Sequence, residues 1–164
     1  MVAVWGGLHL YGRWSATATT TSSLSKANAP IRAAEEPAPD ADELMAALRT
    51  RYGIDVFTTL FPGDFGADDH VDILDSAERA TMGHVLSIFI AELNRYPRPF
   101  LERARLRSTY LVRHVERNGH RVSGVAGNGR GWIVLEARYA TQDVDSFRAT
   151  IHHEIYHLID WNEL

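Results

Sequence analysis

The 164-residue chain contains no cysteine and a single lysine, Lys26. Without thiols, disulfides, cysteine-ligated zinc and thiolate nucleophiles are excluded, so any metal must be taken by histidine or carboxylate. Scarce lysine and a net charge of −4 argue against nucleic acid or an anionic membrane as partner, because phosphate surfaces are held by clustered Lys and Arg. No apolar run approaches the ~20 residues of a membrane-spanning helix, so no membrane span is expected. Large apolar side chains are nearly missing from Ser15 to Asp42, a Ser-, Thr-, Ala- and Pro-rich stretch that cannot offset its own ordering entropy by burial.

That stretch follows a short apolar run, Val2 to Tyr11, and an Ala16-Thr17-Ala18 triplet, the outline of an export signal without the basic residues that normally precede one. Residues 1–41 are therefore expected to be a disordered or signal/linker segment, and 42–164 the folded domain. Secretion and a cytoplasmic location both stay open.

From Asp40 onward the composition is that of an ordinary globular domain. Asp40 and Asp42 offer N-capping carboxylates to a helix carrying Leu44, Met45, Leu48 and Tyr52 and ended by Gly53, and Ile54 to Phe57 read as a first strand. The loop from Phe61 to Asp75 collects Asp64, Asp68, Asp69, Asp72 and Asp75 without the spacing of a calcium loop, and is expected to be a solvated acidic loop. Asp75 with Glu78 forms a capping box opening a long helix whose stripe is Met82, Val85, Leu86, Phe89, Ile90 and Leu93, halted by Pro97 and Pro99. His84 has no histidine one turn away and reads as structural. Beyond Leu106 the pattern turns strand-like, with hairpin signals at Asn118-Gly119 and at Gly127 to Gly131, and implies an antiparallel meander of about three strands ending in Trp132 to Ala137.

The last helix carries the chemistry. Val144, Phe147, Ile151, Ile155 and Leu158 cluster on one side of a helical wheel, while His153, His157 and Asp160 share the opposite side. His153, Glu154 and His157 form H-E-x-x-H: imidazoles one turn apart can ligate one divalent ion, and the glutamate between them can act as general base toward a water that the ion acidifies. This makes His153 and His157 the candidate metal ligands, Zn2+ the implied cofactor and Glu154 the candidate catalytic residue.

The longer string, His152 to Asp160, resembles the H-H-E-x-x-H-x-x-D signature of zincin metallopeptidases, in particular the lethal-factor-like branch of the gluzincins. The order long helix, strands, active-site helix is similar to the N-terminal half of a zincin domain. The resemblance implies an α+β fold, with a long helix packed on a small antiparallel or mixed sheet and followed by the active-site helix. It also implies a peptide or protein substrate that pairs with the strand Trp132 to Ala137 beside the cleft. Zincins need a third ligand: Glu163 stands where one branch places it, and Asp160 is the candidate for orienting His157. A gluzincin's later helix has no counterpart before Leu164, so the domain is expected to lack its C-terminal part. Two functional expectations follow, a zinc-dependent metallopeptidase and a catalytically incomplete zincin-like binding module.

Overall fold

The structure, a computed structural model, describes residues 39–59, 69–127 and 129–163, with side chains as far as Trp161. The N-terminal segment, with its linker and export-signal expectations, and Asp64 and Asp68 lie outside the described residues.

Among the described residues six helices and six strands follow in the order α1 (Ala41–Tyr52), β1 (Asp55–Phe57), β2 (His70–Ile73), α2 (Ser76–Ala80), α3 (Met82–Leu93), α4 (Arg98–Ala104), β3 (Ser108–Arg117), β4 (His120–Arg121), β5 (Gly124–Ala126), β6 (Trp132–Glu136), α5 (Tyr139–Gln142) and α6 (Val144–Glu163). Asp40 caps α1 by accepting from the Asp42 amide at 2.8 Å, and the Asp75–Glu78 capping box opens α2 as its sequence predicts. The long helix expected from Asp75 is nonetheless two. Thr81 bonds its hydroxyl to the Glu78 carbonyl at 2.8 Å, ending α2 before α3 takes up the apolar stripe. Prolines produce the other departure: α3 stops ahead of them, but Pro97 caps α4 and Pro99 sits in its first turn, where a missing amide costs nothing. Of the acidic loop, His70 to Ile73 is strand, Asp69 accepts from the Asn118 amide and Asp75 caps a helix.

The sheet is mixed and open, in the order β1-β3-β6-β5, with β2 and β4 also pairing along β3. It is not the antiparallel meander expected, because β3 runs parallel to both β1 and β6. Both predicted hairpins exist. Asn118 and Gly119 take φ of 52° and 73°, the positive angles of a tight strand reversal, and β5 pairs antiparallel with β6. Between them the chain changes sides: Val122 still donates to the Val115 carbonyl of β3, whereas Ser123 already accepts from the Glu136 amide of β6. The descending arm leaves β3 at this point, and β6 fills the space between the two.

Helices cover one face of this sheet. Leu48, Leu86, Phe89, Phe147, Ile151, Ile155 and Leu158 pack with Leu111, Ile133 and Leu135 in one buried cluster. The other face gathers Val112, Val115, Val125, Trp132 and Val134. His84 bonds the Ala140 carbonyl at 3.2 Å, the structural role expected of it.

Where β6 leaves the sheet toward α5 and α6, Glu136 is completely buried and fully satisfied. Its Oε1 accepts from His114 Nδ1 and the Val115 amide, and its Oε2 from Arg121 and Arg138, all at 2.9 to 3.0 Å. His114 also meets Glu116 through Nε2 at 2.9 Å. With a carboxylate on each nitrogen, the ring must carry both protons to donate twice. The bond to Glu116, followed by that to Glu136, raises the His114 pKa above its usual 6.5. The stability this imidazolium contributes is fully present below about pH 6.5 and is lost as pH rises through the raised folded value. Melting temperatures should accordingly fall as the pH rises above the ordinary histidine value of about 6.5, and more steeply in the native protein than in His114→Gln. Parallel pH profiles for the two proteins would remove His114 as the cause.

Candidate metal centre

The metal-binding pattern lies in the middle of α6, anchored from both sides. Asp143 accepts from the Ser146 amide at 3.0 Å at the start of the helix. The wheel's apolar side is the buried one: Phe147, Ile151, Ile155 and Leu158 are each at most 1% exposed. This burial turns His153 and His157 away from the core. Their Nε2 atoms face each other at 2.9 Å, with the rings nearly perpendicular. The His157 ring also stacks on Trp161, 5.2 Å between centroids and 13° from parallel.

Nitrogens bound at about 2.0 to 2.1 Å to one tetrahedral zinc stand about 3.3 Å apart. The observed pair needs only a small rotation to meet that spacing, so these two donors fit zinc. Among the described residues no group of three His, Cys, Asp or Glu is arranged to hold a metal. Asp160 is exposed and makes no hydrogen bond to His157. Helix α6 runs unbroken through Glu163, whose side chain lies outside the described residues. Ten residues of helix put the Glu163 backbone about 15 Å along the axis from His153, and the chain makes no turn at Asp160 that would bring it back.

Glu154, between the two histidines in sequence, does not share their exposure. It is only 4% exposed and lies against β5. Burial pushes its carboxyl up to about 7, against the opposing pull of a hydrogen bond from the Ala126 amide and the charge of Arg117. The contact is tight: a Cβ added at Gly124 would lie 2.6 Å from Thr150 Cγ2 and 3.0 Å from Glu154 Cγ. Glycine at 124 is what lets strand and helix approach this closely.

The strand lining this carboxylate is therefore β5. The strand Trp132 to Ala137, which the resemblance assigned to the cleft and which is β6 in the structure, is paired on both sides, by β3 and β5. Ser123 and Gly127 direct their bonded groups toward β6, and the alternation of an antiparallel ladder turns those of Gly124 and Ala126 outward. Among the described residues β5 has no further strand on that side.

Helix α6 is also fixed through His152, whose sequence position gives it no separate role. Its Nε2 bonds buried Glu92 at 2.9 Å, and its Nδ1 meets the Tyr96 hydroxyl. Glu92 additionally takes Arg95 at 2.7 Å and Arg148 at 3.2 Å. Burial alone would raise the Glu92 pKa, but the bonds from Arg95 and His152 bring it below the ordinary value. Tyr96, half-buried and close to Tyr156 and Glu92, is pushed up to about 12 and stays a neutral hydroxyl. The signal that could have found this cluster is Glu92 itself, an acid beside Phe89 and Leu93 on the stripe of an otherwise apolar helix.

Comparison with protein-family models, with curated proteins and with solved structures gives no match to this chain.

Proposed function

We propose that this chain is a zinc-dependent metallopeptidase domain of zincin type, hydrolysing peptide bonds with Glu154 as general base. The observation carrying the reading is that one helix presents two facing imidazoles, spaced for a single ion, and places between them in sequence a carboxyl poised near neutrality beside an open strand edge. His153 and His157 would hold the zinc. When bound, zinc supplies Lewis acidity toward a water and toward the scissile carbonyl.

The protein's own groups account for the rest. Glu154 takes the proton of the attacking water, and a carboxyl near 7 is well matched to accepting it and passing it to the leaving amine. The outward groups of Gly124 offer strand-type hydrogen bonds to an extended peptide, which would bring a substrate alongside Glu154. Trp161 and the Glu92–His152–Tyr96 chain hold the helix and its ligands in orientation.

Metal analysis tests the reading. Purified protein should carry close to one zinc per chain, and His157→Ala, which also removes the partner of Trp161, should carry almost none. Near-zero zinc in both proteins would overturn the proposal. A second reading, a zincin-like binding module without catalysis, is favoured by the donor count of two among the described residues. It requires a protein that folds and shows no hydrolysis for Glu154→Gln to abolish.

A further inference from the structure

We infer that the protein has a second ligand site, distinct from the histidine pair of α6, that takes a small organic phosphate. A cavity of about 740 Å3 opens between the end of α1, the end of α3, α4 and the start of β3, and no residue of α6 lines it. This volume is typical of small-molecule sites. Its floor is apolar, with Ile54, Leu93 and Leu106 buried, and its lining includes the exposed Arg49, Arg51, Arg98, Arg105 and Arg107.

Five arginines lining one cavity run against the chain's net charge of −4. Two are neutralised, Arg49 by Asp55 at 2.7 Å and Arg98 by Glu102 at 3.0 Å. Arg51 lies over the Tyr52 ring, 5.2 Å from its centroid, and among the described residues Arg51, Arg105 and Arg107 have no carboxylate partner. Clustered like charges repel one another unless an anion joins them. Planar guanidinium forks match phosphate oxygens bidentately, and a phosphate dianion answers three open cations better than a single carboxylate.

Two of these cations stand on a fixed turn rather than a loose loop. Arg105 caps α4 with φ of 51°, a conformation that costs a side-chain-bearing residue energy and that glycine adopts freely. The Arg107 and Ser108 amides both bond the Gly131 carbonyl, at 2.7 and 3.1 Å, and a Cβ at Gly131 would meet the Arg105 carbonyl oxygen at 2.4 Å. A strained arginine held on a braced turn that lines a cavity is what a ligand contact requires, and a cap alone is better served by glycine.

Calorimetric titration of the full chain with phenyl phosphate and with inorganic phosphate tests this. Phenyl phosphate should bind at one site, tenfold or more tightly than inorganic phosphate, because only its ring reaches the apolar floor. Arg105→Gly should weaken that binding tenfold or more while the melting temperature stays level or rises, and Arg107→Gln should weaken it without altering zinc content. The proposal is overturned if millimolar phenyl phosphate gives no binding heat, if the two phosphates bind equally, or if both variants bind as the native protein does. None of these results depends on the peptidase reading.

Discussion

Glu154→Gln is expected to lower peptide hydrolysis by about 10^2- to 10^4-fold, the range a positioned general base contributes, while leaving zinc content unchanged. The amide is isosteric with the carboxyl, and its oxygen can still accept from the Ala126 amide. Neither histidine is touched. Because burial already works against the charged form of Glu154, a neutral side chain should keep or slightly raise the melting temperature. Hydrolysis of an unstructured protein substrate, followed in both proteins beside metal analysis, separates the outcomes. An active Glu154→Gln variant would remove Glu154 from the mechanism, and an inactive native protein that binds zinc would establish the binding-module reading instead.

The largest loss of stability is expected at Glu136. Its carboxylate holds His114, Arg121, Arg138 and the Val115 amide at the point where β6 leads into α5 and α6. Glu136→Ala removes the shared acceptor of these donors, three of them on side chains that carry positive charge; His114 is 18% exposed and the Val115 amide buried, whereas Arg138 and Arg121, 26% and 43% exposed, can turn to water. Removing one partner of a fully buried ionic group typically costs about 3 to 5 kcal/mol, and because the two arginines are partly solvated urea unfolding should show a loss of about 2 to 3 kcal/mol. Glu136→Gln, which keeps an acceptor oxygen but no charge, should fall between the two. A loss in Glu136→Ala below about 1 kcal/mol would mean that water replaces the carboxylate, as it does around exposed ion pairs.

Features set by local chemistry were legible in the sequence. Asp40 and the Asp75–Glu78 pair start helices, Asn118-Gly119 reverses a strand, and the spacing of Phe147, Ile151, Ile155 and Leu158 determines which side of α6 is buried. The two histidines were legible for the same reason, since the spacing that buries one face dictates the other. Strand order was not legible. A hairpin signal fixes which residues reverse but not which partner the returning strand takes, and the switch at Val122 and Ser123 depends on β6 arriving later in the chain. The buried state of Glu154 was hidden as well, because it depends on Gly124 in a strand thirty residues earlier. Glu92 and His152 escaped because their bond joins helices sixty residues apart.

Open strand edges invite other chains to add to them, and β5 is such an edge among the described residues. It is three residues long, and one of its outward amides is already taken by Glu154. A foreign strand seeking continuous pairing would find few bonds to make and an ionisable side chain across its path. The carboxyl beside the strand therefore shortens the run of backbone groups left for a foreign strand, and it does so whether or not a metal is ever bound.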